Sequence, residues 1–389
     1  MIFNSSRIWV PILKKFKKIS QKQGIEFTIN KLKLKASKSK TGTSVKKIDK
    51  ELHAGTSKDA LVTIVARNYL GMGFSFAESA RKHHSEVQIY IYVMDDISNE
   101  SQAEVEALGF RFLSPQMVSI PPAAEMYRRY DVTEACTAVK PFVLRHLFQL
   151  GFETVCYMDP DLWVLSPMTE LFEALKTSEI VLTPHTVTPI PEGSAFEEKW
   201  LLQCGVFNLG FIGIRHEVSE RLCAWWADRL ETHCYFRPEQ GLFFDQKWID
   251  LVPCLFDRVG ILKHRGYNVA WWNLHERTPN FDDGSWFVAE TREPIRFFHF
   301  SSLPGNSAEP RLSGNISGDK MSRTYDVIEK SSLKHLVGNY RQCLKKHGHA
   351  QRKLLPYGLE SYRARRPNKW LSRAKRILRP IFNFTRRLV

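Results

Sequence analysis

Asp159 and Asp161, separated only by Pro160, follow the apolar run Thr154-Val155-Cys156-Tyr157-Met158. Such a run reads as a buried strand. In extended chain, residues i and i+2 point the same way, so both carboxylates are expected to reach one cation. Pro160 stops the ladder and leaves the pair in the crevice beyond the strand's carboxyl end, where open α/β sheets bind ligands. Hard oxygen donors suit Mg²⁺ or Mn²⁺ with phosphate oxygens completing the shell.

The elements that must position this pair are legible from pattern. Residues 61–66 form a continuous apolar run, suited to a strand buried on both faces. A helix over 74–84, a strand over 87–93, a helix over 101–108 and a short strand over 110–113 follow. This alternation signals a doubly wound α/β sheet. A helix over 140–150 feeds the strand ending in Asp159, and later come a strand at 207–214, a helix at 219–232 and a strand at 295–300. The organisation expected is a segment over 1–56, a catalytic domain over 57–305, and a linker with a helical segment over 306–389.

Charge separates these parts. Residues 1–50 carry 14 Lys and Arg against 2 acids, and 321–389 carry 18 against 3, whereas 51–320 carry 24 against 36. An acidic body can hold a metal but repels a polyanion, so the net charge of +15 does not indicate nucleic-acid binding. The basic ends are amphipathic. Ile8, Trp9, Ile12, Leu13, Phe16 and Ile19 share one helical face, and Trp370, Ala374, Ile377, Leu378 and Ile381 share another. Basic helices with such a stripe suit an anionic membrane surface. No run approaches the roughly 18 apolar residues of a spanning helix, and the N-terminus lacks the order of a signal peptide. Seven scattered cysteines without a C-x-x-C predict neither a zinc site nor a disulfide framework, and point to a reducing compartment. The expected location is cytoplasmic, peripheral at the inner face of the membrane.

Two chemistries use a D-x-D pair. In a haloacid-dehalogenase-type phosphatase the first Asp is a nucleophile and the second a general acid. That family favours Thr or Val two residues after the second Asp, where this chain has Trp163, and carries the motif on its first strand. In a nucleotide-sugar transferase the metal bridges the carboxylates and the donor diphosphate and neutralises the leaving nucleotide. The bridging role fits this chain better. Residues 58–305 resemble the GT-A-fold glycosyltransferases, most closely the family-8 type that includes glycogenin and bacterial lipopolysaccharide hexosyltransferases. The resemblance rests on six segments in order: Ala66-Arg67-Asn68-Tyr69, the helix bearing Lys140 and Arg145, Asp159-Pro160-Asp161 with Leu165-Ser166-Pro167 beyond it, Phe207-Asn208-Leu209-Gly210-Phe211, Asp245-Gln246, and Phe298-His299-Phe300-Ser301.

The resemblance implies a Rossmann-like mixed sheet with helices on both faces and a metal-dependent transfer of a hexose from a nucleotide diphosphate sugar, UDP-sugar foremost. Transfer with retention to a glycan or lipid-linked acceptor is the expected reaction. Asp159 and Asp161 would hold the metal with His299 as third ligand, shifting preference from Mg²⁺ toward Mn²⁺. Asn68 and Tyr69 would meet the nucleotide, Tyr69 by stacking on the base. Lys140 would neutralise diphosphate or brace the metal carboxylates. Asn208, Asp245 and Gln246 would line the sugar and acceptor side, with Asp245 stabilising the oxocarbenium-like centre. The chain lacks the Lys that usually follows the late His motif, so Lys263, Arg265 or Arg277 is expected to meet the diphosphate charge. The aromatic-rich stretch 265–277 is expected to wall the acceptor pocket. The reading from another class is a non-catalytic glycan-binding or scaffolding module of the same fold, against which the intact Asp159, Asp161 and His299 argue.

Overall fold

The computed structural model describes residues 57–95, 99–194, 196–301, 303 and 333–356. Both amphipathic stripes, the N-terminal one and that from Trp370 to Ile381, lie outside the described residues, as does the polar stretch after Leu303. Thirteen strands and twelve α-helices are assigned among the described residues. The strands of the main sheet are β1 (Asp59–Val65), β2 (Gln88–Val93), β3 (Arg111–Leu113), β4 (Thr154–Met158), β6 (Ile180–Pro184), β7 (Phe207–Arg215) and β10 (Val259–Ile261). Three small pairs accompany it: β5 (Leu162–Val164) with β13 (Phe297–His299), β8 (Phe236–Arg237) with β9 (Leu242–Phe243), and β11 (Pro279–Asp282) with β12 (Ser285–Val288). The helices are α1 (Leu70–His83), α2 (Asn99–Ala107), α3 (Ala123–Arg129), α4 (Val132–Ala138), α5 (Lys140–Gln149), α6 (Thr169–Thr177), α7 (Glu198–Cys204), α8 (His216–His233), α9 (Gln246–Ile249), α10 (Val252–Leu255), α11 (Lys334–Lys346) and α12 (His349–Arg352).

The sheet runs β10-β6-β7-β4-β1-β2-β3. All neighbours are parallel except β7, which opposes both β4 and β6 and makes the sheet mixed. Alternation along each strand divides the core by face. Val62, Ile64, Val155 and Tyr157 pack with Val143 and Leu147 of α5 and Leu222 and Trp226 of α8. Leu61, Val65, Cys156 and Met158 pack on the other face with Phe74 and Ala77 of α1 and Leu171 and Leu175 of α6. Helices therefore cover both faces, as expected for an α/β sheet whose central strands are apolar throughout.

A third cluster lies beyond the carboxyl end of β4 and joins Trp271, Trp272, Phe298 and Phe300 to Leu336, Val337, Tyr340 and Leu344 of α11. Those four α11 residues are buried, and their spacing puts them on one helical stripe. Tyr340 stacks on Phe300 at 4.0 Å between ring centroids and lies 5.1 Å from Trp163. Residues 333–356 thus contribute buried side chains to the same body as the sheet.

Candidate functional site

β4 ends at Met158, and the chain then turns rather than continuing extended. Leu162 N–H donates to the Asp159 carbonyl at 3.1 Å, with the fixed φ of Pro160 inside the turn. The two carboxylates converge through this turn, and not through the i, i+2 geometry of extended chain. β5 then pairs antiparallel with β13, which sets His299 opposite Leu162. Phe300 N–H donates to the Asp161 carbonyl at 2.9 Å, and His299 Nε2 lies 3.2 Å from Asp161 Oδ1. Two segments 138 positions apart in sequence are thereby locked together by backbone hydrogen bonds.

The donor atoms of Asp159, Asp161 and His299 all lie within 4.8 Å of one another. Gly210 keeps the space among them clear. A Cβ there would sit 2.6 Å from His299 Cε1, 2.8 Å from Asn208 Oδ1 and 3.0 Å from Asp159 Oδ2. Two carboxylates and one imidazole, with room preserved by a glycine, fit a divalent cation of the Mg²⁺ or Mn²⁺ kind.

Asp159 and His299 are each oriented from behind. Tyr157 shares a face with Asp159, and its hydroxyl donates to Asp159 Oδ1. Burial, reinforced by Asp159, raises the phenol well above its ordinary range, so it stays a proton donor. His299 Nδ1 lies 3.0 Å from Asn268 Oδ1. Asn268 is fully buried at φ +54°, a left-handed backbone that Asn tolerates better than most residues. Its carbonyl accepts from Asn273 Nδ2, which also donates to the His185 carbonyl. With Nδ1–H given to Asn268, Nε2 is the ring nitrogen turned toward Asp161, and it is the atom that would ligate a cation. Burial acts to lower the His299 pKa, but Asp161 outweighs it and the net direction is upward.

Beside this cluster lies a buried ion pair. Lys140, the first residue of α5, is 1 % exposed, and Pro141 suits the helix start there. Its Nζ is 2.8 Å from Asp245 Oδ2 and 3.7 Å from Asp159 Oδ1. It donates to the Leu209 carbonyl at 3.0 Å and lies 4.2 Å from the Tyr157 ring centroid. Burial opposes the charge on Lys140, yet the two carboxylates flanking it raise its pKa, and it stays an ammonium. Burial likewise raises the Asp245 carboxyl, against the pull of that ammonium. Neither residue is a solvated surface group. Arg145, further along α5, points elsewhere and pairs with Glu220.

Asn208 and Gln246 are buried against the same wall. Asn208 Oδ1 accepts from Gly210 N–H at 3.0 Å, and its Nδ2 lies 3.2 Å from His185 Nε2. Gln246 Oε1 accepts from Leu209 N–H and its Nε2 donates to the Cys204 carbonyl. Both amides thus fix β7, which carries Gly210. Asn68 and Tyr69 occupy the turn after β1. The Asn68 Oδ1 atom is buried without a hydrogen-bond partner among the described residues, and the Tyr69 ring meets His349 of α12 at 5.8 Å.

The stretch 265–277 differs from expectation. Tyr267, Asn268, Val269, Ala270 and Asn273 are fully buried and Trp271 and Trp272 nearly so. They form the floor behind Asp159, Asp161 and His299 rather than an acceptor wall, because the Asn273 amide satisfies the Ala270 N–H and the Asn268 and His185 carbonyls and frees the aromatics to pack. Trp272 sits edge-on to His299 at 5.2 Å. Arg277 is also not a diphosphate contact. It is 1 % exposed, with Nε 2.9 Å from Glu276 and Nη1 donating to the Tyr267 carbonyl at 2.5 Å. Tyr157, His185, Asn268 and Asn273 are the functional supports that sequence reasoning missed; the polar residues interrupting 265–277 were the available signal.

No family model matches the chain. It is 25% identical over 249 residues, 62% of this chain and 80% of the relative, to a Bacillus subtilis (strain 168) protein described as "Uncharacterized protein YfnF". Among solved structures, the galactosyltransferase LgtC in complex with donor and acceptor sugar analogs aligns at TM-score 0.42 and 15% identity, over 70% of this chain and 96% of that one. The apo structure of the bifunctional glycosyltransferase WbbM aligns at TM-score 0.43 and 17% identity, over 64% of this chain and 46% of that one.

Proposed function

We propose that this protein is a metal-dependent glycosyltransferase that moves a hexose from a nucleotide diphosphate sugar, UDP-sugar foremost, to a glycan or lipid-linked acceptor with retention. The observation that carries the reading is the Asp159, Asp161 and His299 cluster at the carboxyl edge of β4, beside the buried Lys140–Asp245 pair. The order of the six sequence motifs supports it independently. A bound Mn²⁺ or Mg²⁺ would supply Lewis-acid stabilisation of charge on the leaving diphosphate.

The chain's own residues then have distinct tasks. Tyr157 and Asn268 fix the rotamers of Asp159 and His299, so the ligands are preorganised. Lys140 keeps a positive charge within reach of Asp159 and adds to the attraction for a diphosphate. Asp245 is the carboxylate that faces the sugar, with Asn208 and Gln246 holding β7 in register behind it. The buried Asn68 Oδ1 gives the turn after β1 an unspent acceptor for a nucleotide N–H or O–H, and Tyr69 borders it.

Thermal unfolding with UDP, GDP, CDP and TDP, each with and without Mn²⁺, tests the reading. A ligand at 100 times its dissociation constant stabilises by about 2.7 kcal/mol. The expected result is a shift for one nucleotide that requires Mn²⁺ and disappears in Asp161→Asn. No shift with any of the four nucleotides sinks the reading and favours a non-catalytic module.

A further inference from the structure

A second group of metal-ligating side chains lies away from the site described above. Glu78 on α1 faces Cys343 on α11 and His347 just beyond its end, and the donor atoms of the three lie within 4.8 Å of one another. Cys343 and His347 are four apart, and His347 N–H donates to the Cys343 carbonyl at 3.1 Å. They therefore project from one helical face, one turn apart. Gly348 at φ +61° ends the helix there. His347 is 8 % exposed, its ring 5.5 Å from that of Phe74, and its carbonyl accepts from Arg352 Nε at 3.1 Å. The imidazole is thus held in place, and Nε2 lies 2.7 Å from Glu78 Oε2.

We propose that Glu78, Cys343 and His347 form a second metal site, selective for Zn²⁺ or a similarly thiophilic divalent ion. A thiolate, an imidazole and a carboxylate are the donor types that such ions select, in contrast to the oxygen-rich set at Asp159 and Asp161. The Glu78 side chain is 43 % exposed, so water can reach a fourth position. Binding involves no change of oxidation state. The Cys343 thiol loses its proton to solvent as the sulfur–metal bond forms. The Lys346 ammonium, 2.7 Å from the same Glu78 oxygen, is the group the ion displaces. The site joins α1 to α11, and the chain beyond it backs the turn after β1. His349 packs on Tyr69, Arg67 Nε donates to the Pro356 carbonyl at 2.6 Å, and a Cβ on Gly71 would lie 2.8 Å from His349 Cα. Occupancy pins this C-terminal piece where it supports the turn bearing Asn68 and Tyr69.

Titrating the full chain with Co²⁺ as a spectroscopic stand-in for Zn²⁺ tests the site. A thiolate-to-cobalt absorption band is expected, abolished by Cys343→Ser and by excess Zn²⁺. His347→Gln and Glu78→Gln should each weaken binding by at least about tenfold. Lys346→Ala should tighten it, because the competing ammonium is gone, a gain that loss of folding cannot mimic. Absence of the band, its persistence in Cys343→Ser, or affinity unchanged in both His347→Gln and Lys346→Ala overturns the proposal.

Discussion

His185 has a decisive protonation state. It is 5 % exposed at the end of β6, and burial pushes its pKa down to about 3. A neutral ring leaves Nε2 free to accept from Asn208 Nδ2, and Asn208 Oδ1 then holds Gly210 N–H beside Asp159 and His299. The unfolded chain titrates this group near pH 6.5. Between about 6.5 and 3 the unfolded state binds the extra proton, so His185 lowers stability as pH falls, by about 1.4 kcal/mol per unit within that window. Urea unfolding between pH 6 and 4 should therefore show a shallower acid loss in His185→Asn than in wild type, by up to about 1.4 kcal/mol per unit. Identical slopes would mean that the folded state protonates the ring normally.

At the scale of elements, β13 matters most, because it brings His299 to Asp161. Its position depends on a close approach at Gly266, whose carbonyl accepts from Arg296 N–H at 2.8 Å. A Cβ on Gly266 would lie 1.9 Å from the Pro294 carbonyl oxygen, which backbone alone occupies and no rotamer can vacate. Gly266→Ala should cost about 1–3 kcal/mol or more in stability and weaken Mn²⁺ binding, measured by unfolding with and without the ion. Gly338, inside α11, has open space where a Cβ would sit. Gly338→Ala should instead stabilise by about 0.5–1 kcal/mol and leave Mn²⁺ binding unchanged. Equal effects at the two positions would show that β13 does not depend on the close approach.

Across the whole chain, the acidic stretch 51–320 and the basic residues flanking it carry the proposal that the acceptor lies at an anionic membrane surface. Among the described residues no helix is long and apolar enough to cross a membrane. Each Lys or Arg near an anionic surface contributes about 1 kcal/mol, and salt screens it. The full chain should co-sediment with vesicles containing anionic lipid at low salt and be released at high salt. A chain of residues 57–356, which keeps α11 and its packing on Phe300, should not bind. Equal binding of the two would remove the role assigned to the ends.

The sequence by itself pointed to β1, β2, β3, β4, β7 and β13, though not to β6 or β10, and to the three side chains that meet as a candidate metal site. Apolar runs at 61–66 and 154–158 suit strands buried on both faces, and they form β1 and β4 within the sheet. The spacing of Asp159 and Asp161 at a strand end, with His299 in the late motif, was sufficient to name all three members of the cluster. Local pattern did not reveal which polar residues would be buried. Lys140 and Asp245 read equally well as solvated residues, and they become a buried pair only because α5 and the start of α9 converge on the end of β4. Asn268 and Trp272 read as part of an acceptor-pocket wall, since nothing local announces that Asn273 will satisfy the surrounding backbone and let the segment sink behind His299. Cys343 and His347 lie four apart on α11, but the third ligand, Glu78, is more than 260 positions earlier. Contacts at that separation depend on packing of α11 against α1, which tertiary structure alone decides.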